Sequence, residues 1–303
     1  MRIGLSGGAA SVDRMISQAQ EAEADGFTSL WYASAIGGDP LVAMAMAGRA
    51  TSTIELGTSV LQTYTCHPVL QANRAASVAS AMGRAGFTLG IGPSHEPVID
   101  AAYGLSYAHP GRHTEEYVRA VTTLLTGDAL NVDGDDFRIH SGTRGMKPEW
   151  PVSVMISALA PRLLRVAGEL TDGTILWMAN ARAVGEHVSP RIRAAASSAG
   201  RSAPRIVTGL PVAVHNDEAE ARQAAAEMFA GYGVLPNYRR ILDIGGAEGP
   251  ADAAIVGDEA AVTTQLQGLL DAGTTDVWAA IFPVGTDRAG SRARTRALLK
   301  SLT

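Results

Sequence analysis

The sequence predicts a TIM (β/α)8 barrel with insertions in its loops, and three observations carry that prediction. Eight strand-like runs each lead into a helix-like run. The strands read as continuous apolar stretches rather than alternating ones. No linker rich in Gly, Pro or Ser divides the 303 residues, so one domain is expected over 1–303. Continuous apolar strands suit a parallel sheet covered by helices, and eight such units favour a closed barrel over a doubly wound sheet.

The elements follow in order. Arg2 to Ser6 reads as a strand. Ser11 to Asp25 reads as a helix, with Val12, Met15, Ile16, Ala19 and Ala22 on one face and Gly26 as its stop. Strand 28–33 precedes helix 40–50, strand 54–61 precedes helix 67–82, and strand 87–91 precedes helix 112–125 after a long connection. The second half repeats this rhythm: 152–156 with 161–170, 174–178 with 183–199, 205–214 with 218–230, and 276–282 with 288–302. A further helical stretch lies near 259–272. The chain exceeds the roughly 250 residues typical of the fold. Its surplus falls in 128–150, rich in Gly and Asp, and in 231–258, rich in Gly, Pro and Tyr.

Composition narrows the function. Hydrophobic residues make up 46% and charged residues 18%, the balance of a soluble globular protein. A net charge of −5 supplies no basic field for nucleic acid. No apolar run approaches the roughly 20 residues of a membrane span. Cys66 is the only cysteine, which excludes an internal disulfide or a thiolate metal cluster. Scattered histidines with no ligand spacing argue against any metal site. The opening strand leaves no room for a signal peptide, so a cytoplasmic protein acting on a small molecule is expected.

In such a barrel the chemistry sits at the C-terminal strand ends. After the third strand, Gly57, Thr58 and Ser59 are small residues inside a strand: either an accident of composition or a place where a flat ligand approaches the backbone. Gln62, Thr63 and Tyr64 follow. The fourth strand ends in GIGPSHEP, where Gly90, Gly92 and Pro93 allow a sharp turn that delivers His95 to the mouth. His95 titrates near neutral pH and suits proton transfer; a loop histidine bonded to backbone is the alternative. The fifth strand ends in Ser157-Ala158-Leu159-Ala160, then Pro161 at the first helical position. Ala160 is a poor N-cap, so the first helical N–H groups are free for an anion. Arg162 and Arg165 add positive charge; a start capped by water or Ser157 is the plainer reading. His67 before Pro68 reads as a cap. Trp177 and Met178 either line a substrate or pack in the core. Glu115-Glu116, Asp135-Asp136 and the basic C-terminal helix read as solvated surface.

Together these segments resemble the luciferase-like monooxygenase superfamily, in particular its deazaflavin (coenzyme F420)-dependent oxidoreductase branch. The carriers are RIGL, AEADGFTSLWYAS, LGTSVLQTYTCHPVLQAN, FTLGIGPSHEPVIDAAYGLSY, SALAPRLLRVAGELTDGTILWM and DAGTTDVWAAIFP, spread over nearly the whole chain. The resemblance implies a TIM barrel with coenzyme F420 at its C-terminal mouth. It implies a non-proline cis peptide at Ser59–Val60 propping one face of the ring. It places the cofactor phosphate at Ser157, Ala158, Leu159 and Ala160, with Gly92, Pro93 and Ser94. On this reading the chain is an oxidoreductase moving hydride between coenzyme F420 and a small organic substrate, with His95, or else Tyr64, as the catalytic proton-transfer group. A homodimer is expected by the same resemblance. The alternatives are an FMN-dependent monooxygenase of the superfamily and a barrel that binds a deazaflavin without turnover. Two departures stand out. Several relatives carry an Asp-His pair after the second strand, where this chain reads 33–38 as ASAIGG. They also commonly carry glycine at the positions of Ala158 and Ala160.

Overall fold

Eight short apolar runs become the staves of a closed parallel barrel in the computed structural model, which describes residues 1–9, 11–34, 39–140 and 147–303. They are β1 (Ile3–Gly7), β2 (Ser29–Tyr32), β3 (Glu55–Thr58), β4 (Phe87–Gly92), β5 (Val152–Ile156), β6 (Gly173–Trp177), β7 (Arg205–Val214) and β8 (Asp276–Ile281). Each strand pairs in parallel with the next, and β8 returns to β1, with Ile3 opposite Val277 and Leu5 opposite Ala279. The expected TIM barrel is therefore the observed fold.

The outer ring is α1 (Val12–Ala24), α2 (Pro40–Ala50), α3 (Pro68–Met82), α4 (Pro110–Leu125), α5 (Pro161–Leu170), α6 (Ser189–Ser198), α7 (Glu218–Phe229) and α8 (Arg288–Ser301). Their starts follow from local chemistry. Ser11, Asp39, Asp217 and Asp287 each accept a backbone N–H from the first turn. His67 does the same through Nδ1 to Val69 N–H at 3.3 Å, so its reading as a cap holds. Among the described residues, no helix is long and apolar enough to cross a membrane.

Inside the staves, Trp31, Met155, Ile175, Val207 and Trp278 fill the barrel. Gly57 exists for this packing. A Cβ there would sit 2.3 Å from the Trp31 ring, so the small residue makes room for an indole and not for a ligand. The N-terminal end is closed by charge. Arg205 forks onto Glu55 with two bonds of 3.0 Å and reaches Asp276 at 2.9 Å, while Arg2 Nε donates to Asp276 at 2.5 Å. These guanidiniums hold the Asp276 carboxyl below its ordinary value against the opposing effect of burial.

Five features depart from the sequence reading. The third strand ends at Thr58 and resumes as the two-residue piece Leu61–Gln62, with Leu61 opposite Ile91. The segment 128–150 contains a hairpin, Asn131–Asp133 with Arg138–His140. The segment 231–258 holds helix Pro236–Ile244 and strand Ile255–Gly257, which extends the sheet alongside the far end of β7. The paired carboxylates are not idle surface. Glu116 accepts the N–H groups of Asp135, Asp136 and Phe137, and Glu115 clamps two arginines of α5. The C-terminal helix is likewise paired, with Arg296 and Lys300 on Asp25 and Arg294 on Glu259.

Candidate functional site

A cleft opens at the C-terminal ends of β3 to β6 and β8. It brings together Ser59, Val60, Pro93, Ser94, His95, Ser157, Leu159 and Ala160, eight of the residues singled out from sequence. Three elements far apart in the chain build this wall, because the parallel barrel delivers every strand end to the same face.

The floor is the Ser59–Val60 peptide, which is cis, as the resemblance implies. It lies in the gap between the two pieces of the third strand. There the Thr58 hydroxyl replaces the missing ladder, donating to Gly90 O at 2.7 Å and accepting from Gly90 N–H at 2.8 Å. Gly92 does not line the cleft. It lies directly behind the wall, where a Cβ would sit 2.1 Å from Ser157 Oγ and 3.0 Å from Val60 Cγ2.

The fourth-strand loop is held under backbone strain. Ser94 has φ +63, a conformation that costs a non-glycine residue on the order of 1–3 kcal/mol. The Tyr107 hydroxyl secures it by donating to Ser94 O at 2.8 Å. His95 follows, its ring 5.0 Å from that of Tyr238. Burial pushes the His95 imidazole below its ordinary value, so the ring is neutral at pH 7.

At the fifth-strand loop the Ala158 N–H is spent on Thr174 Oγ1 at 3.2 Å, and Ala158 is fully buried behind the cleft. Ala160 caps α5 without any side-chain bond, and Ser157 does not cap it either. The hydroxyls of Ser94 and Ser157 make no hydrogen bond among the described residues. This is a donor set without an acceptor at a helix start, the arrangement that suits an anionic group. Arg162 and Arg165 do not contribute. Arg162 spends its guanidinium on Glu115 at 2.9 Å, and Arg165 bonds Glu115 and Glu169. The loop is braced from behind by His187, whose Nε2 lies 2.8 Å from Leu159 O.

Tyr64 stands apart from the cleft. Its ring stacks on His113 at 3.9 Å and its hydroxyl donates to Ala108 O. Of the pair after β6, Trp177 lines the cleft while Met178 is fully buried, with φ +64. The opposite wall was not legible in the sequence. Asn237 and Tyr238 come from helix Pro236–Ile244, and Trp278 comes from β8. In 231–258 the sequence signalled only a composition rich in Gly, Pro and Tyr. The Ala35–Gly38 part of the loop that lacks the Asp-His pair lies outside the described residues.

Comparison with known proteins agrees with this architecture. The profile of the luciferase-like monooxygenase family matches residues 1–300. A 5,10-methylenetetrahydromethanopterin reductase of Methanolobus tindarius is 27% identical over 242 residues, 79% of this chain and 73% of that protein. An F420-dependent glucose-6-phosphate dehydrogenase of Kineococcus radiotolerans is 27% identical over 219 residues, 67% of this chain and 64% of that protein. The solved coenzyme F420-dependent tetrahydromethanopterin reductase of Methanopyrus kandleri superposes with a TM-score of 0.75 at 18% identity, covering 97% of both chains. At that identity the superposition bears on the fold.

Proposed function

We propose that this chain, which belongs to the luciferase-like monooxygenase family, is an oxidoreductase that moves hydride between coenzyme F420 and a small organic substrate. The observation that carries the reading is the pairing of a flat backbone floor at Ser59–Val60 with an uncapped, acceptor-free donor set at Ser94, Ser157 and Ala160. A planar ring with an anionic tail needs both features. F420-dependent relatives among the matched sequences support the choice of cofactor.

The residues fit such a group. Val60 and Ser59 would support one face of the ring, and the loop hydroxyls and α5 N–H groups would hold the phosphate. When bound, the deazaflavin supplies a carbon that gives or takes hydride. The chain's own part is to orient, to exclude water and to manage one proton. That proton falls to His95, whose neutral imidazole takes it from a substrate hydroxyl during oxidation and returns it in the reverse direction.

Absorbance titrations with F420 and with FMN test the assignment. Saturable, tight binding of F420 and weak binding of FMN is the expected result. Tighter binding of FMN would replace this reading with the monooxygenase one. A second copy of the chain is the proposed partner. Val42 and Met46 on α2 and Leu70 on α3 are 54%, 52% and 54% exposed, an apolar face suited to burial against a like face. Light scattering should give a dimer, and Met46→Glu should shift it towards monomer.

A further inference from the structure

The wall facing the proposed cofactor site says what kind of molecule is handled there. Among the described residues lining the cleft there is no Asp, Glu, Lys or Arg. The two groups able to titrate are held neutral: burial pushes His95 down and the Tyr238 phenol up. What the wall offers instead is aromatic surface. Trp177 stacks on Trp278 with centroids 5.0 Å apart and planes 20° from parallel. Tyr232 meets Trp177 edge-on at 5.5 Å and Tyr238 edge-on at 5.2 Å, and Tyr238 reaches across to His95.

Helix Pro236–Ile244, from the long insertion after α7, brings Tyr238 over the barrel mouth and completes this wall. The indole N–H groups of Trp177 and Trp278 are shielded and have no acceptor among the described residues. A buried donor left unmatched is costly; the Trp278 indole is wedged against Gly209, so Trp177, half-buried at the cleft, is the ring whose N–H a ligand oxygen would match. A charged ligand body would lose its hydration here and meet no opposite charge on the wall. A flat, neutral body would trade water for ring faces.

We infer that the substrate side of this cleft takes an uncharged, flat, largely apolar molecule bearing one carbonyl or hydroxyl oxygen, held between Trp177 and Tyr238. A sugar phosphate or another ionised substrate does not fit this wall. The inference rests on the proposed redox site only in taking this cleft as the place of reaction.

Tryptophan fluorescence titrations of the full chain test it, in excess inorganic phosphate to occupy the donor set at Ser94, Ser157 and Ala160, with acetophenone, benzoate and glucose 6-phosphate as probes. Acetophenone and benzoate share size and shape and differ in charge. The ketone should bind roughly tenfold more tightly than the carboxylate, and glucose 6-phosphate should not bind in the same range. Trp177→Leu and, separately, Tyr238→Ala should each weaken acetophenone about five- to tenfold, with far-UV circular dichroism unchanged. Tyr238 lies on a peripheral helix, so its variant serves if the Trp177 variant does not fold. No acetophenone binding, benzoate or glucose 6-phosphate binding as tightly, or an affinity unmoved by both substitutions would overturn the inference. F420 is titrated separately by its own absorbance. Its failure to saturate while the ketone preference persists sinks only the cofactor reading. F420 binding without that preference sinks only the substrate class.

Discussion

Thr58→Val isolates the device that carries the sheet past the cleft floor. Thr58 is fully buried, and its hydroxyl satisfies both the N–H and the C=O of Gly90, at 2.8 and 2.7 Å. The β3–β4 ladder is made at Leu56–Phe87 and Gly57–Thr88 and resumes at Leu61–Ile91, so no strand neighbour serves Gly90 on that side. Valine keeps the volume and removes both bonds. Leaving a buried backbone group unpaired costs about 1–3 kcal/mol, so the pair should cost about 2–6 kcal/mol. Thr58→Ser keeps the hydroxyl and loses one methyl, a cost of about 1 kcal/mol. Urea unfolding, followed by both fluorescence and circular dichroism, reads these as midpoints. With a slope of about 3 kcal/mol/M, valine should lower the midpoint by about 0.7–2 M and serine by about 0.3 M. A valine variant as stable as the serine variant would refute the idea that the hydroxyl replaces the ladder.

The remaining expectations concern charge and the site. Asp276→Asn should destabilise by about 1.5–3 kcal/mol, because Arg205 and Arg2 lose a charged partner while Arg205 keeps Glu55. Because the folded pKa of Asp276 lies below its ordinary 3.8, its stabilisation is complete above that value and disappears as pH falls through the lower folded pKa. The wild type should therefore lose stability below about pH 4, and Asp276→Asn should show a shallower acid limb in melting experiments. His95→Gln should lower kcat about 10²–10⁴-fold and remove an acid limb that lies below pH 6.5, since burial depresses this imidazole. Unchanged turnover and an unchanged pH profile would remove His95 from the reaction. Ala160→Asp should raise the melting temperature, through about 0.5–2 kcal/mol of new N-cap stabilisation, while weakening F420 binding by placing a carboxylate where the phosphate is proposed. Equal or tighter F420 binding would show that the tail sits elsewhere.

How far the site could be read from the chain depends on how local each signal is. Ala160 before Pro161 announces an uncapped helix in two residues, and that is what forms. GIGPSH announces a turn that presents His95, and the cleft contains it. Gly57 misleads because its reason is a neighbour 26 positions earlier in the chain, the Trp31 indole. Arg162 and Arg165 look available until α4 brings Glu115 beside them. Tyr64 follows the third strand as a site residue would, yet its hydroxyl turns to Ala108 and its ring to His113.

The order of strands and helices, the parallel barrel they close into and the strand ends that carry the cleft are all legible in the chain, because periodicity, caps and turns act over a few residues. Tertiary structure alone decided which arginines are spent and why a strand needs glycine at 57. It also brought Tyr238 and Trp278 opposite Ser59 and Val60. Those outcomes depend on partners tens or hundreds of residues away, whose meeting is fixed only when the barrel closes.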